Sequence, residues 1–457
     1  MAGSRSQRRG EALTPASSGL TEGPESSTDV QNSPPTSGYL IVTFADEVVG
    51  NQRAAARELR DLTGITGMVS SSEFSDGAIA LEEVADEECL YFNNLGIAAV
   101  KKRDDRAQIL SRASESKVSN VLAVEEDYQV RESGQLESST IDYLKGYRDA
   151  INDLVEKLIK GGMPDPQGLE AAQAIADNNS FTWGLQATRV STSSLTGRGA
   201  RIAVLDTGID LNHSDFRGRV SMSKSFVDNE TVQDMRGHGT HCAGTIAGPK
   251  TPATGRRYGV ACDAELLVGK VLSNSGGGWT RQIVAAMDWA VAQKCHVISM
   301  SLGTDMSQQL MAYGQAGQRA LDAGCLVVAA AGNNADRPRT FGFVEPPANA
   351  SSVMAVGALN NRSAVAVFSA RSNQNQTGGN VDIAAPGVAV YSSVPGSRYG
   401  LKDGTSMATP HVAGIAALWF EKTQKRGKAL FQQLRDSALP LTVDSRDVGS
   451  GLVQAPQ

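Results

Sequence analysis

The chain has 457 residues, 40% of them apolar, five cysteines and a formal net charge of -6. That length can bury more than one core, and the lack of a basic excess leaves no footprint for a nucleic acid or an anionic membrane, so neither is expected as a partner. The cysteines (Cys89, Cys242, Cys262, Cys295, Cys325) are odd in number and lack C-x-x-C spacing, which argues for reduced thiols over a disulfide framework or structural zinc. Arg8-Arg9 is followed by Gly, Ser, Thr, Pro and Glu instead of an apolar core, and no run approaches about 18 apolar residues, so a cytoplasmic location is expected.

Residues 1–38 are rich in Ser, Pro, Gly, Thr and Glu and read as a disordered tail, because so few apolar side chains cannot offset the entropy of ordering. Next come an apolar run at 39–44, a helix over 51–62, strands near 78–81 and 95–100, a helix near 104–113 and a strand over 118–124. This β-α-β-β-α-β order predicts a small ferredoxin-like α+β domain at 39–131. Residues 132–177 read as a helical linker: Leu144, Tyr147, Ile151, Leu154, Val155 and Leu158 follow the 3.6-residue period, Ser139 or Thr140 can cap the start, and Gly161-Gly162 ends it. Over 178–457, apolar strands at 200–205, 265–271, 296–301, 325–330 and 353–356 alternate with helices such as 283–293. The alternation predicts an α/β fold, a mostly parallel central sheet with helices on both faces.

In such a fold functional groups gather at the carboxyl edge of the strands. Asp206 ends the run Arg201-Ile202-Ala203-Val204-Leu205, and Thr207-Gly208 lets the chain turn away. His238 opens Gly237-His238-Gly239-Thr240-His241-Cys242-Ala243-Gly244-Thr245, where small residues allow other segments to approach the imidazole. Ser406 lies in Gly404-Thr405-Ser406-Met407-Ala408-Thr409-Pro410, at the start of a helix whose free N–H groups favour developing negative charge. Asn333 follows the buried strand that ends Ala329-Ala330-Ala331-Gly332. On its own Asp206 also reads as a structural loop aspartate and Ser406 as an ordinary helix cap.

Taken in order, these four stretches resemble the subtilase family over about 181–455, and the stretch 255–272 is most similar to its proteinase K branch. The resemblance implies a subtilisin-like serine endopeptidase with Ser406 as nucleophile, His238 as general base, Asp206 as its orienting carboxylate and Asn333 as oxyanion donor. It implies a protein or peptide substrate bound as an added strand between Gly276-Gly277-Gly278 and Ser301-Leu302-Gly303, with Ala330, Ala331 and Gly332 lining the pocket for the side chain before the cut. Glu345 falls near the floor of that pocket, where an inward carboxylate would favour Lys or Arg; the alternative is a surface glutamate paired with Arg337 or Arg339. Cys242 is placed as a free thiol beneath the histidine, predicting inhibition by mercurials.

No cofactor is expected for catalysis. The family's calcium loop after the histidine helix is replaced here by Pro, Lys, Thr, Gly and Arg, but Asp382 matches a second, structural calcium position with the carbonyls of Ser351 and Val353. The domain at 39–131 resembles an inhibitory propeptide, which implies an autoinhibited zymogen whose partner is its own propeptide, and the protein is expected to be a monomer. Two alternatives remain open at this point: an acyl-enzyme transpeptidase or macrocyclase, and a peptide-binding pseudoenzyme.

Overall fold

The structure, a computed structural model, describes residues 34–133, 174–372 and 378–457. Residues 1–33 of the expected tail and 134–173 of the expected linker, including its amphipathic helix, lie outside the described residues. The remainder of the expected tail is not irregular: the first strand already begins at Thr36.

The N-terminal body runs β1 (Thr36–Phe44), a helix Gln52–Thr63, β2 (Val69–Ser70), β3 (Cys89–Phe92), β4 (Ile97–Lys101), a helix Asp104–Ser114 and β5 (Val121–Glu132). Its strands lie in the order β5-β1-β4-β3-β2, antiparallel except for β2 beside β3. Asn51 caps the first helix by accepting from Ala54 N (3.1 Å), and Gly64 ends it at φ 73°. Alternation along β1 sends Leu40, Val42 and Phe44 to the body's own helices and Ile41 to the opposite face. That second apolar face is not solvated. It closes on the helices Thr280–Ala292 and Met311–Asp322 of the second body, in one cluster holding Ile41, Phe92, Ile97, Trp289 and Tyr313.

The expected strand at 78–81 is not one. Ala78, Ile79 and Leu81 are buried, but in an irregular segment that joins the same cluster as Trp289. A four-residue apolar run reads alike whether neighbouring strands or another body bury it.

The second body is built on β6 (Arg201–Asp206), β7 (Val220–Ser225), β8 (Glu265–Lys270), β9 (Gly277–Trp279), β10 (Val297–Met300), β11 (Leu302–Gly303), β12 (Leu326–Ala330), β13 (Met354–Leu359) and β14 (Ile383–Pro386). Seven of them form one sheet in the order β14-β13-β12-β10-β6-β8-β7, parallel at every pairing. Residues such as Ile202–Leu205 and Leu326–Ala330 are buried on both faces, which is why these strands read as unbroken apolar runs. β7 and β14 went unforeseen: β7 is a polar edge strand with a largely exposed face, and β14 is a short Ile-Ala-Ala-Pro segment of weak strand propensity. The helix Thr405–Thr423 is buried for almost its whole length against this sheet.

β5 continues past its own sheet. Gln129–Arg131 pair antiparallel with β9, and Arg131 and Glu132 pair with β11. Two carboxylates fix this crossing. Glu125 accepts from Met311 N (2.7 Å) and Ala312 N (2.8 Å), and Asp127 accepts from Arg281 N (2.8 Å), so each satisfies first-turn N–H groups of a helix whose own N-cap side chain makes no capping bond.

Candidate active site

Parallel strand order brings four segments to one edge of the sheet. β6 ends in Asp206, β10 leads to Ser301 and β12 leads to Asn333, while the His238–Ala247 and Thr405–Thr423 helices begin beside them. The approach is close: a Cβ on Gly239 would lie 2.2 Å from the Gly208 carbonyl, so only glycine lets the histidine helix reach the turn after β6. Gly404 precedes the serine helix at φ 149°, a conformation that side chains resist.

Asp206 Oδ1 lies 2.7 Å from His238 Nδ1 and accepts from Thr207 N at 2.7 Å. Both side chains are buried. Burial alone would push the imidazole down, but the Asp206 carboxylate outweighs it and holds His238 well above its ordinary value, with smaller contributions from Cys242 and Glu132. The arrangement favours the imidazolium that forms when the ring takes a proton.

Ser406 is the second residue of its helix. Its hydroxyl donates to the Ser301 carbonyl (3.2 Å), and Ser301 Oγ donates back to the Ser406 carbonyl (2.8 Å). Ser301 therefore braces Ser406 instead of joining the peptide-pairing edge, where only Leu302 and Gly303 pair with β5. Opposite them, Gly277 and Gly278 pair with Arg131 and Val130, and the Gly276 carbonyl accepts from Glu132 N (3.3 Å).

Asn333 has its orientation set by chemistry. Thr405 N and Thr405 Oγ1 sit 2.8 and 2.9 Å from one terminal atom, and because a main-chain N–H can only donate, that atom is the oxygen. The amide nitrogen then faces the carbonyl of Ser133, to which it donates. Ser133 thus ends the β5 extension with its carbonyl at the Asn333 amide and its own hydroxyl buried without a partner among the described residues. Sequence reasoning singled out neither Ser133 nor Thr405. Thr405 stood inside a motif that was quoted for its neighbour, and Ser133 had no signal beyond its place after a long strand.

Glu345 lies beneath this end of β5. A Cβ on Gly303 would fall 2.1 Å from its Oε2, and one on Gly332 would fall 3.1 Å from its Oε1, so the carboxylate fills the gap between the two walls. Its main-chain N–H donates to the Ala331 carbonyl (3.0 Å), and its Oε1 accepts from Asn334 Nδ2 (2.9 Å). The surface-pair reading fails, since Arg337 pairs with Asp447 and Arg339 with Asp336. Burial, with Asp305 adding and Asn334 opposing, pushes the Glu345 carboxyl up to about 8.

Cys242 lies with its sulfur 3.9 Å from His238 Nδ1 and donates to the Ser406 carbonyl (3.6 Å); burial raises its thiol pKa, so it sits there as a thiol and not a thiolate. All five cysteines are free and buried. His241 Nε2 donates to the Val390 carbonyl (3.0 Å), and burial pushes the ring down to about 3, a neutral structural imidazole. Away from this edge, Asp382 is largely buried, its Oδ2 accepts from Ala355 N (3.0 Å), and burial pushes its carboxyl up to about 6. A buried carboxylate with so little compensation beside the turn that carries Ser351 and Val353 fits the donor chemistry of a calcium ion.

The chain is similar to known proteins over most of its second body. A family model described as the Subtilase family matches residues 197–448. M-protease of Shouchella clausii is 40% identical over 291 residues, covering 63% of this chain and 72% of its own. Subtilisin Savinase of Lederbergia lenta is 41% identical over 281 residues, 60% of this chain and 97% of its own. Subtilisin E of Bacillus subtilis is 37% identical over 271 residues, 59% of this chain and 68% of its own. The crystal structure of a cold adapted subtilisin-like serine proteinase superposes with a TM-score of 0.52 at 33% identity, covering 61% of this chain and 100% of that one.

Proposed function

Because the chain belongs to the subtilase family and is a subtilisin-like serine endopeptidase, we propose that it is made as a self-inhibited precursor in which residues 34–133 occupy their own catalytic cleft. The carrying observation is the Ser133 carbonyl on the Asn333 amide, at the end of a strand held between β9 and β11. An inhibitor seated this way is also a substrate, bound by main-chain pairing that any extended peptide can supply.

On this reading Ser406 Oγ leaves its bond to the Ser301 carbonyl and attacks the Ser133 carbonyl carbon while His238 accepts the hydroxyl proton. Asp206 fixes the tautomer and stabilises the imidazolium. The oxyanion receives hydrogen bonds from Asn333 Nδ2 and the Ser406 N–H, both pre-positioned, one by Thr405 and the other by the helix start. Collapse expels the amino group of Gly134, which takes the proton from His238, and water then hydrolyses the ester on Ser406.

Glu345 is proposed to set the preference for the side chain before the cut. A Lys or Arg there would meet a buried carboxylate with one hydrogen-bond partner. Ser133 is too short to do so. The self-cut then relies on tethering, which replaces a bimolecular encounter by a held one, while separate substrates need the charge pair.

The test compares wild type with Ser406→Ala. Wild type should yield two fragments, the larger starting at Gly134, and that larger fragment should react with a fluorophosphonate once residues 34–133 are removed; the variant should stay a single unlabelled chain. An intact wild-type chain, or a new N-terminus elsewhere, would refute the placement of Ser133.

A further inference from the structure

Within the same cleft, the residue before Ser133 is read by a charge. Glu132 is 6% exposed, and its carboxylate accepts from Arg236 Nε at 2.9 Å. Arg236 lies two residues before His238, and its guanidinium covers Gly276, where a Cβ would fall 3.1 Å from Nε. Gly276 in turn accepts the main-chain N–H of Glu132. Arg236 and Gly276 therefore hold both the side chain and the backbone of this one residue.

The loop that carries Arg236 is fixed beforehand. Asp234 commits its carboxylate to Arg236 N (2.9 Å), Gly237 N (2.7 Å), Thr240 N (2.9 Å) and Thr207 Oγ1 (3.0 Å), so it leaves the guanidinium free for the cleft. Among the described residues, Glu132 is the acid paired with Arg236. The neighbouring positions are read differently. Arg131 points out and bonds Gln129 of its own strand, while Val130 is fully buried in the core cluster that also holds Leu302.

We propose that Arg236 is a specificity-determining residue that selects an acidic side chain two residues before the scissile bond. Resting on the protease reading above, this deepens it to a substrate class: segments with a small aliphatic residue, any residue, then Glu or Asp, then the residue cut after, which Glu345 favours as Lys or Arg. The chain's own Val130-Arg131-Glu132-Ser133 satisfies all but the last of these positions. Once residues 34–133 leave, Arg236 is released to take the acid of a separate substrate.

The experiment uses the processed enzyme and quenched peptides Val-Ser-X-Arg with X as Glu, Gln or Lys. For an ion pair that is partly exposed, Glu should exceed Gln in kcat/KM by about fivefold at low salt, a margin that shrinks toward about onefold at high salt. Arg236→Gln should abolish the margin and Arg236→Glu should turn it toward Lys. Each ratio is internal to one preparation, so a change in the fraction folded cancels. A Glu-to-Gln ratio that survives Arg236→Gln, or equal rates in wild type, overturns the inference. Failure of wild type to cut any of the peptides overturns the protease reading beneath it, which the Ser406→Ala comparison detects separately.

Discussion

Replacing Glu345 by Gln removes a buried charge site while keeping an amide that can still meet Asn334, and its consequences for stability and specificity have opposite signs. The carboxyl is raised from an ordinary value of 4.5 to about 8. A carboxyl raised on folding contributes fully below its unfolded pKa and loses that contribution as pH climbs toward its folded one. Near neutral pH the protein therefore keeps a proton that the unfolded chain has released, at a cost of about 3 kcal/mol, growing to about 5 kcal/mol once pH passes the folded pKa. Glu345→Gln has no such group. Built on the Ser406→Ala precursor so that no processing intervenes, it should unfold at higher denaturant than its parent from neutral pH upward and converge with it in acid.

Specificity should move the other way. In the active enzyme, a peptide with Arg before the cut needs the ionised carboxylate, so its kcat/KM relative to the matched Gln peptide should climb about tenfold per pH unit below the pKa and level off above it. The Glu345→Gln enzyme should show a flat ratio. The assay is a pair of quenched peptides run from the acid through the alkaline range on both proteins, because loss of residues 34–133 uncovers the carboxylate and lets its pKa fall back toward the ordinary value. A pH-independent ratio in wild type, or a variant no more stable than its parent, would refute the claim that this carboxylate stands in the substrate pocket at the expense of stability.

Asn333→Ala should lower kcat about 100- to 1000-fold with a much smaller change in KM, because the bond its amide makes to the Ser133 carbonyl strengthens as that oxygen gains charge in the transition state; a loss confined to KM would count against that role. Asp382→Asn should remove the response to calcium: chelation is expected to lower the wild-type Tm by several degrees, in line with about 3 kcal/mol of ligand stabilisation in excess ion, and to leave the variant unchanged. Equal chelator responses in the two proteins would set the calcium assignment aside.

The parallel sheet was legible because β6, β10 and β12 are apolar on both faces, and a strand buried twice over shows an unbroken run. β7 carries the opposite pattern, Val-Ser-Met-Ser-Lys-Ser, and an edge strand facing water gives no such run. The helix starts holding His238 and Ser406 were visible as glycine-rich turns, since the close approaches there forbid larger residues. Contacts between distant segments were not visible. Nothing local to Ser133, Arg236 or Thr405 announces that the three meet the cleft from positions 133, 236 and 405, because pairing across such separations is decided by how two bodies dock. Ser301 shows the same limit: its stretch was singled out from the sequence, but its bonds go to Ser406 and not to the strand edge.

That docking bears on what a self-cut would accomplish. β5 belongs at once to its own sheet, through β1, and to the cleft, through β9 and β11, so breaking the bond after Ser133 removes none of these pairings. The wider interface also stays. Arg319 donates to the carbonyls of Phe44, Leu95 and Gly96 and pairs with Asp46 at 3.0 Å, and Asp288, buried on the opposite helix, accepts from Ser71 Oγ (2.6 Å), Asn94 Nδ2 (3.2 Å) and Leu95 N (3.0 Å). Burial pushes the Asp288 carboxyl up to about 6 despite those donors, so its ionised form depends on groups that only the N-terminal body supplies. A cut that leaves every one of these contacts in place changes connectivity and little else. On the proposed reading, activity must then wait for a second event, the removal or degradation of residues 34–133, and the cleft stays closed until the strand itself is gone.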